Sequence, residues 1–234
     1  MENETTKTKL STPAAIIIAG FLIMVGIIIS KAPVQKKVVA DDSQAKVKNE
    51  IAIEPVSETE DHILGNINTA EVTIVEFSDT ECPYCKVFHQ TLHKTMAKYP
   101  GKIAWVYRHF PLDSIHPKTR MEARATECVA SIGGNDAFWK YLDMIFDKTP
   151  SNNKLDEKQL PIFAEKIGIN QKAFSDCFAK DIFDGKIEAQ YEDGQKAGVL
   201  GTPHSIIITK DGQKIPIQGA DEQSLDSELS KLLQ

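Results

Sequence analysis

The stretch EVTIVEFSDTECPYC, residues 71–85, sets a β-branched apolar run directly ahead of two cysteines spaced C-x-x-C. An apolar run of this kind predicts a buried strand over 71–79. Residues 82–99 read as a helix, with Val87, Leu92 and Met96 near helical spacing and Pro100-Gly101 as its stop. KIAWVYRHF (102–110) reads as a second strand. Strand, helix, strand in that order is a βαβ unit with a parallel pair, and it commits the chain to the α/β class.

A helical block follows. Residues 116–134 carry Met121, Ala125, Cys128 and Ile132 on one face and end at Gly-Gly, and 136–148 carry Phe138, Leu142, Ile145 and Phe146. Shorter helices are expected over 155–169, 170–181 and 184–198. Then 204–209 is strand-like, 210–212 is a turn, 213–219 is a strand whose Pro216 suggests a sheet edge, and 221–234 is a closing amphipathic helix. Removing the helical block leaves βαβ–ββα. The pattern is a thioredoxin-like α/β sheet with an inserted helical subdomain at about 112–198.

The N-terminus is a separate object. Residues 13–30, PAAIIIAGFLIMVGIIIS, carry no charge, which is long enough to span a bilayer. We expect an uncleaved transmembrane signal anchor rather than a cleaved signal peptide, with residues 1–12 as a cytoplasmic tail. Lysines flank both ends, more of them after the run than before it. The outward placement of the rest rests on the shortness of the tail and on cysteine chemistry suited to an oxidising compartment. Residues 31–61 show no sustained amphipathic period and are expected to form a flexible tether spanning roughly 30 Å. The folded domain is expected over 62–234. A net charge of −6 without a basic stripe argues against nucleic acid as a partner, and none is expected.

The chemistry concentrates at 82–85. A cysteine at a helix start meets unpaired backbone N–H groups and the positive end of the helix dipole, and both lower its pKa. Pro83 is tolerated there because a first-turn residue needs no N–H. Cys82 is therefore the expected attacking thiol, and Cys85, one turn on, the resolving one. Glu76 interrupts an apolar strand six residues before Cys82. Either it points to solvent, or it is buried with a raised pKa and accepts the proton of Cys85. Thr202-Pro203 directly precedes an apolar strand, which suggests a special turn with a possible cis bond. If that turn faces Cys82, the Thr202 backbone can pair with an extended substrate. Cys128 and Cys177 each lie on an apolar helical face, Cys128 with Ala125 and Ile132, Cys177 with Phe174 and Phe178. In an oxidising compartment they are expected to pair; the alternative is two unpaired buried cysteines.

Residues 62–234 resemble the DsbA-like thiol–disulfide oxidoreductases of the membrane-anchored bacterial branch. The resemblance rests on DHILGN, VTIVEFSDTECPYCKVFH, YRHFPL, His116-Pro117, FWKYLDMIF and GVLGTPHSIII. It implies a thioredoxin fold with a helical insert, a cis Pro203, and no cofactor beyond the dithiol. It also implies extracytoplasmic oxidation of cysteines in exported proteins, with re-oxidation by a membrane quinone-linked partner of the DsbB or vitamin K epoxide reductase type. The dipeptide Pro83-Tyr84 departs from the Pro-His of strong oxidants and leaves the potential open, so reductase and isomerase readings stand behind oxidase. Two rivals come from other classes. One is a non-catalytic adaptor. The other is a metal site drawn from Cys82, Cys85, His89 and His93; four positions along one straight helix extend about 16 Å and cannot all converge on one ion, which leaves a site of two or three of them as the form this rival takes. No metal is assigned, and His89 and His93 read as surface or groove residues. His62, His109 and His116 have no partner legible in the sequence, and His204 is a candidate to support the Cys82 thiolate.

Overall fold

A computed structural model of the chain describes residues 51–234. The expected tail, the expected anchor at 13–30 and the first part of the expected tether lie outside the described residues. Five strands form one sheet in the order β1-β3-β2-β4-β5. They are β1 (His62–Leu64), β2 (Val72–Ser78), β3 (Ile103–His109), β4 (His204–Thr209) and β5 (Lys214–Gln218). The helices are α1 (Pro83–Lys98), α2 (Thr119–Lys148), α3 (Gln159–Lys166), α4 (Gln171–Phe178), α5 (Asp184–Lys196) and α6 (Glu222–Leu232). The pair β2–β3 is parallel and joined through α1, as the apolar patterning of 71–110 requires. β1, β4 and β5 join antiparallel. Pro216 lies on the edge strand β5, where its missing N–H breaks no ladder.

The two faces of the sheet bury different sets, as alternation along the strands dictates. Val72 and Ile74 of β2 pack with Phe88 and Leu92 of α1, Trp105, the second half of α2 and Leu225 and Leu229 of α6. Val75 and Phe77 face the other way, onto Val106, Phe110, Val199 and Ile206. Helix α5 comes so close on that side that a Cβ at Gly194 would stand 2.6 Å from the Phe110 ring. A third cluster, inside the insert, joins Ala125, Cys128, Tyr141 and Ile145 of α2 to α3 and α4.

Three expectations change. The two helices expected over 116–134 and 136–148 run on as α2, broken only at Gly134, whose φ of 78° and ψ of −174° are not helical. Only glycine meets such angles without strain. Ile132, expected on the buried face with Cys128, is 38% exposed next to that break. The third concerns the tether, which does not extend to residue 61. Ile51, Ile53 and Val56 pack on the sheet, and the buried Arg108 holds the rest. Its Nε and Nη2 donate to Asp61 at 2.9 and 2.8 Å, and its Nη1 donates to Asp193 at 2.6 Å and to the Glu54 carbonyl at 3.1 Å. A buried guanidinium needs such partners, so the segment is bound as an integral strap. Strand β1, too short to show a period, was not expected.

Candidate active site

Strand β2 carries Glu76 on the same face as Ile74, toward α1, and Glu76 is fully buried. It does not point to solvent. The Trp105 indole N–H donates to its Oε2 at 2.9 Å, and Oε1 has no protein partner. Burial raises the Glu76 pKa to about 7, with hydrogen bonds such as that of Trp105 opposing the rise.

Between β2 and α1, residue Asp79 builds the turn that presents Cys82. The Asp79 carboxylate accepts from the Glu81 and Leu112 N–H groups, each at 2.8 Å, and its carbonyl accepts from Cys82 N–H at 3.1 Å. Cys82 is the N-cap of α1, and Pro83 follows in the first turn, where the preset φ suits the helix start. Cys82 and Cys85 are free thiols here. The Cys82 thiol lies 3.4 Å from the Thr202 carbonyl, so the loop before β4 does face the helix start. The Thr202–Pro203 bond is cis.

The two thiols are driven apart electrostatically. Hydrogen bonding from the Cys85 thiol is the largest influence bringing Cys82 down to about 6; burial opposes it, and the Cys85 N–H, the Thr202 side chain and the Tyr84 N–H assist. Cys85 is pushed well above the usual thiol range, first by burial, then by the Cys82 and Glu76 charges. Cys82 retains only a 4% opening to solvent and Cys85 none, so one lowered thiol at the surface edge stands beside one protonated, fully enclosed thiol, the arrangement a dithiol switch requires. Tyr84, at the tip of the motif, is 67% exposed. His204 is also buried, but burial lowers its pKa and keeps it neutral, and it is not among the groups lowering Cys82.

Several neighbours were not legible in the sequence. His116 Nδ1 lies 3.0 Å from Asp79 Oδ2, and this contact, helped by the Cys82 charge, raises the His116 pKa. Glu81 and Glu122 are buried, and burial, with the neighbouring Glu81 carboxylate, drives Glu122 to about 10, so it is protonated at neutral pH. His62 and His109 both meet the buried Glu127, at 2.9 and 3.2 Å. Only Asp79 carried a signal, an aspartate at a strand end three residues before a capping position. The others depend on elements far apart in the chain.

Away from this site, Cys128 of α2 and Cys177 of α4 are joined by a disulfide, with Cα atoms 5.8 Å apart and sulfurs 1.99 Å apart. It lies within the insert's own cluster beside Phe174 and Phe178, which stack on each other.

A family model described as Thioredoxin matches residues 57–234. The chain belongs to the thioredoxin family. Its fold is the DsbA-like variant, and with the dithiol at the head of α1 it is a thiol–disulfide oxidoreductase. DsbA2 of Pseudomonas aeruginosa superposes with a TM-score of 0.61 at 25% identity, covering 77% of this chain and 100% of that one. Oxidised BdbD of Bacillus subtilis superposes at 0.65 with 24% identity, covering 79% and 99%. A Na(+)/H(+) antiporter NhaA 3 of Salinispora tropica is 31% identical over 149 residues, 64% of this chain. The match spans only 22% of that antiporter's length, and no transport function passes to this family member from it.

Proposed function

We propose that this oxidoreductase works as a dithiol oxidase on the extracytoplasmic side of a bacterial membrane, introducing disulfides into exported cysteine-containing proteins. The observation that carries the reading is the split between the thiols, a Cys82 thiolate held near pKa 6 against a buried, protonated Cys85. A low thiol pKa stabilises the reduced form, and stabilising the reduced form makes the disulfide a better oxidant. Between pKa 6 and pH 7 lies one pH unit, so the reduced form gains about 1.4 kcal/mol, or about 30 mV for a two-electron couple. That decides the sign. It is small beside the roughly 150 mV that separates thioredoxin from DsbA. The protein is a moderate oxidant, as Pro83-Tyr84 in place of Pro-His suggests.

In the catalytic step, the Cys82–Cys85 disulfide receives a substrate thiolate at Cys82 Sγ, and Cys85 leaves as a thiolate that takes up a proton from Glu76. A second substrate thiolate then attacks the sulfur of the substrate cysteine held by Cys82. The substrate disulfide forms, and Cys82 leaves as the stable thiolate. The enzyme is left reduced, with its two electrons to pass to a membrane quinone-linked partner of the DsbB or vitamin K epoxide reductase type. Thr202 and cis-Pro203 form the backbone edge against which the substrate strand lies. Exposed Tyr84, Val87 and Leu200, on the dithiol helix and the loop before β4, suit an unfolded chain's apolar side chains. The uncharged run at 13–30 holds the domain at the membrane.

Equilibration of the Cys82–Cys85 pair with glutathione tests the direction. The expected potential lies between those of thioredoxin, about −270 mV, and DsbA, about −120 mV. A value below thioredoxin's would turn the reading to a reductase. Faster recovery of a scrambled substrate than of a reduced one would turn it to an isomerase.

A further inference from the structure

One turn beyond Cys85 on α1, away from the dithiol, two imidazoles and a carboxylate converge. His89 Nε2 lies 2.7 Å and His93 Nε2 2.8 Å from the same Asp143 Oδ1, and the two nitrogens are 3.2 Å apart. Spacing of i, i+4 puts both rings on one face of α1. Asp143 comes from the second half of α2, so the trio ties two helices together. The rings are fixed in place: His89 packs between Trp105 and Phe146 at 5.0 and 4.6 Å, and His93 meets Trp105 at 5.2 Å. His89 is buried, while the side chains of His93 and Asp143 are 40% and 45% exposed, so one side of the cluster opens to solvent.

We propose that His89 Nε2, His93 Nε2 and Asp143 Oδ1 form a binding site for one divalent first-row transition-metal ion, separate from the dithiol. Imidazole nitrogen and carboxylate oxygen suit such ions. The donor spacing agrees. With metal–ligand bonds of about 2.1 Å, neighbouring donors stand about 3.0 Å apart around an octahedral ion and about 3.4 Å apart around a tetrahedral one. The three separations, 2.7, 2.8 and 3.2 Å, bracket the octahedral edge and fall short of the tetrahedral one. The three donors would cap one face of the ion, and the open side would leave the remaining positions to water or a small ligand. The cysteines of the same helix stripe take no part: Cys85 faces the sheet core, and the third donor comes from Asp143 instead. The site also adjoins the redox centre. Trp105, the wall against which both imidazoles pack, donates its N–H to Glu76.

The test uses the full chain with Cys82 and Cys85 joined as a disulfide, so that no thiol can bind metal. Titration with Co2+, followed by calorimetry and visible absorption, should show one ion per chain, displaced by Zn2+. The Co2+ spectrum should have the weak bands of a six-coordinate ion. His93→Ala and Asp143→Ala should each weaken binding at least about tenfold. Both side chains are partly exposed, and circular dichroism without metal verifies that the variants fold. Failure of the chain to bind Co2+ or Zn2+ below about 1 mM would overturn the proposal. So would binding that both variants leave unchanged, because the ion would then sit elsewhere. Neither result bears on the dithiol chemistry.

Discussion

The chain holds two cysteine pairs of opposite character. Cys82 and Cys85 share one turn at the open end of a helix. Cys128 and Cys177 lie 49 positions apart and bridge two helices inside an apolar cluster. Closing the first pair removes on the order of 2 kcal/mol of loop entropy from the unfolded chain, whereas closing the second removes on the order of 4 kcal/mol. The first pair is poised electrostatically, with one thiol lowered by its neighbour and by helix-start N–H groups, and the other raised by burial. The second is packed by Phe174, Phe178 and the walls of the insert, with Cys177 in the last turn of α4 rather than at a helix start. Whether a disulfide is a switch or a staple therefore follows from its place in the fold.

The comparison is broken most severely at Cys82. Cys82→Ser should abolish thiol exchange, and Cys85→Ser should trap mixed disulfides with substrate proteins, visible on non-reducing gels. In the reduced protein both changes should cost less than loss of the second bridge: Cys82→Ser about the 1.4 kcal/mol that its thiolate contributes at pH 7, and Cys85→Ser roughly 1–2 kcal/mol for a hydroxyl in the core. The Cys128→Ala/Cys177→Ala double variant should do the reverse. It should lose about 4 kcal/mol, or roughly 10 °C in Tm for a domain of this size, and still exchange thiols at the wild-type rate. Unchanged stability there would remove the staple from the account.

Glu76→Gln sharpens the contrast at an intermediate scale. Without its proton acceptor, release of the mixed disulfide by Cys85 should slow about tenfold or more, while alkylation of Cys82 stays within a few-fold of wild type. The same variant has a signed effect on stability. Glu76 has a folded pKa of about 7, above its ordinary 4.5, so the folded state holds its proton longer than the unfolded chain does. The resulting cost is absent below pH 4.5, grows as the pH rises to 7, and then stays constant. Glu76→Gln should thus be neutral near pH 4 and stabilising above pH 7, by at most about 3 kcal/mol. Destabilisation at pH 8 with unchanged exchange would make Glu76 a structural group.

Much of this was legible in local sequence, and the reasons are physical. A β-branched run, a C-x-x-C at a helix start and a proline before a strand each act through neighbours a few residues away. The sequence leaves the direction of Glu76 open between solvent and core, because alternation fixes that it shares a face with Ile74 but not which face is covered. What escaped depends on distant partners. His116 against Asp79, Glu122 against Glu81 and the Glu127 cluster each join elements whose apposition no period encodes. The strap at 51–61 looked like a tether because its own anchors, Ile51, Ile53, Val56 and Asp61, are few and meet partners such as Arg108 far along the chain. His89 and His93 were visible as a stripe, but the carboxylate that joins them sits on another helix.

The most direct test is the pH profile of Cys82 alkylation in the reduced enzyme with the Cys128–Cys177 bridge intact. The expected midpoint is about 6, with Cys85 unlabelled over the same range. A midpoint near 8.5, as in a free thiol, or equal labelling of the two cysteines would contradict the assignment of Cys82 as the nucleophile.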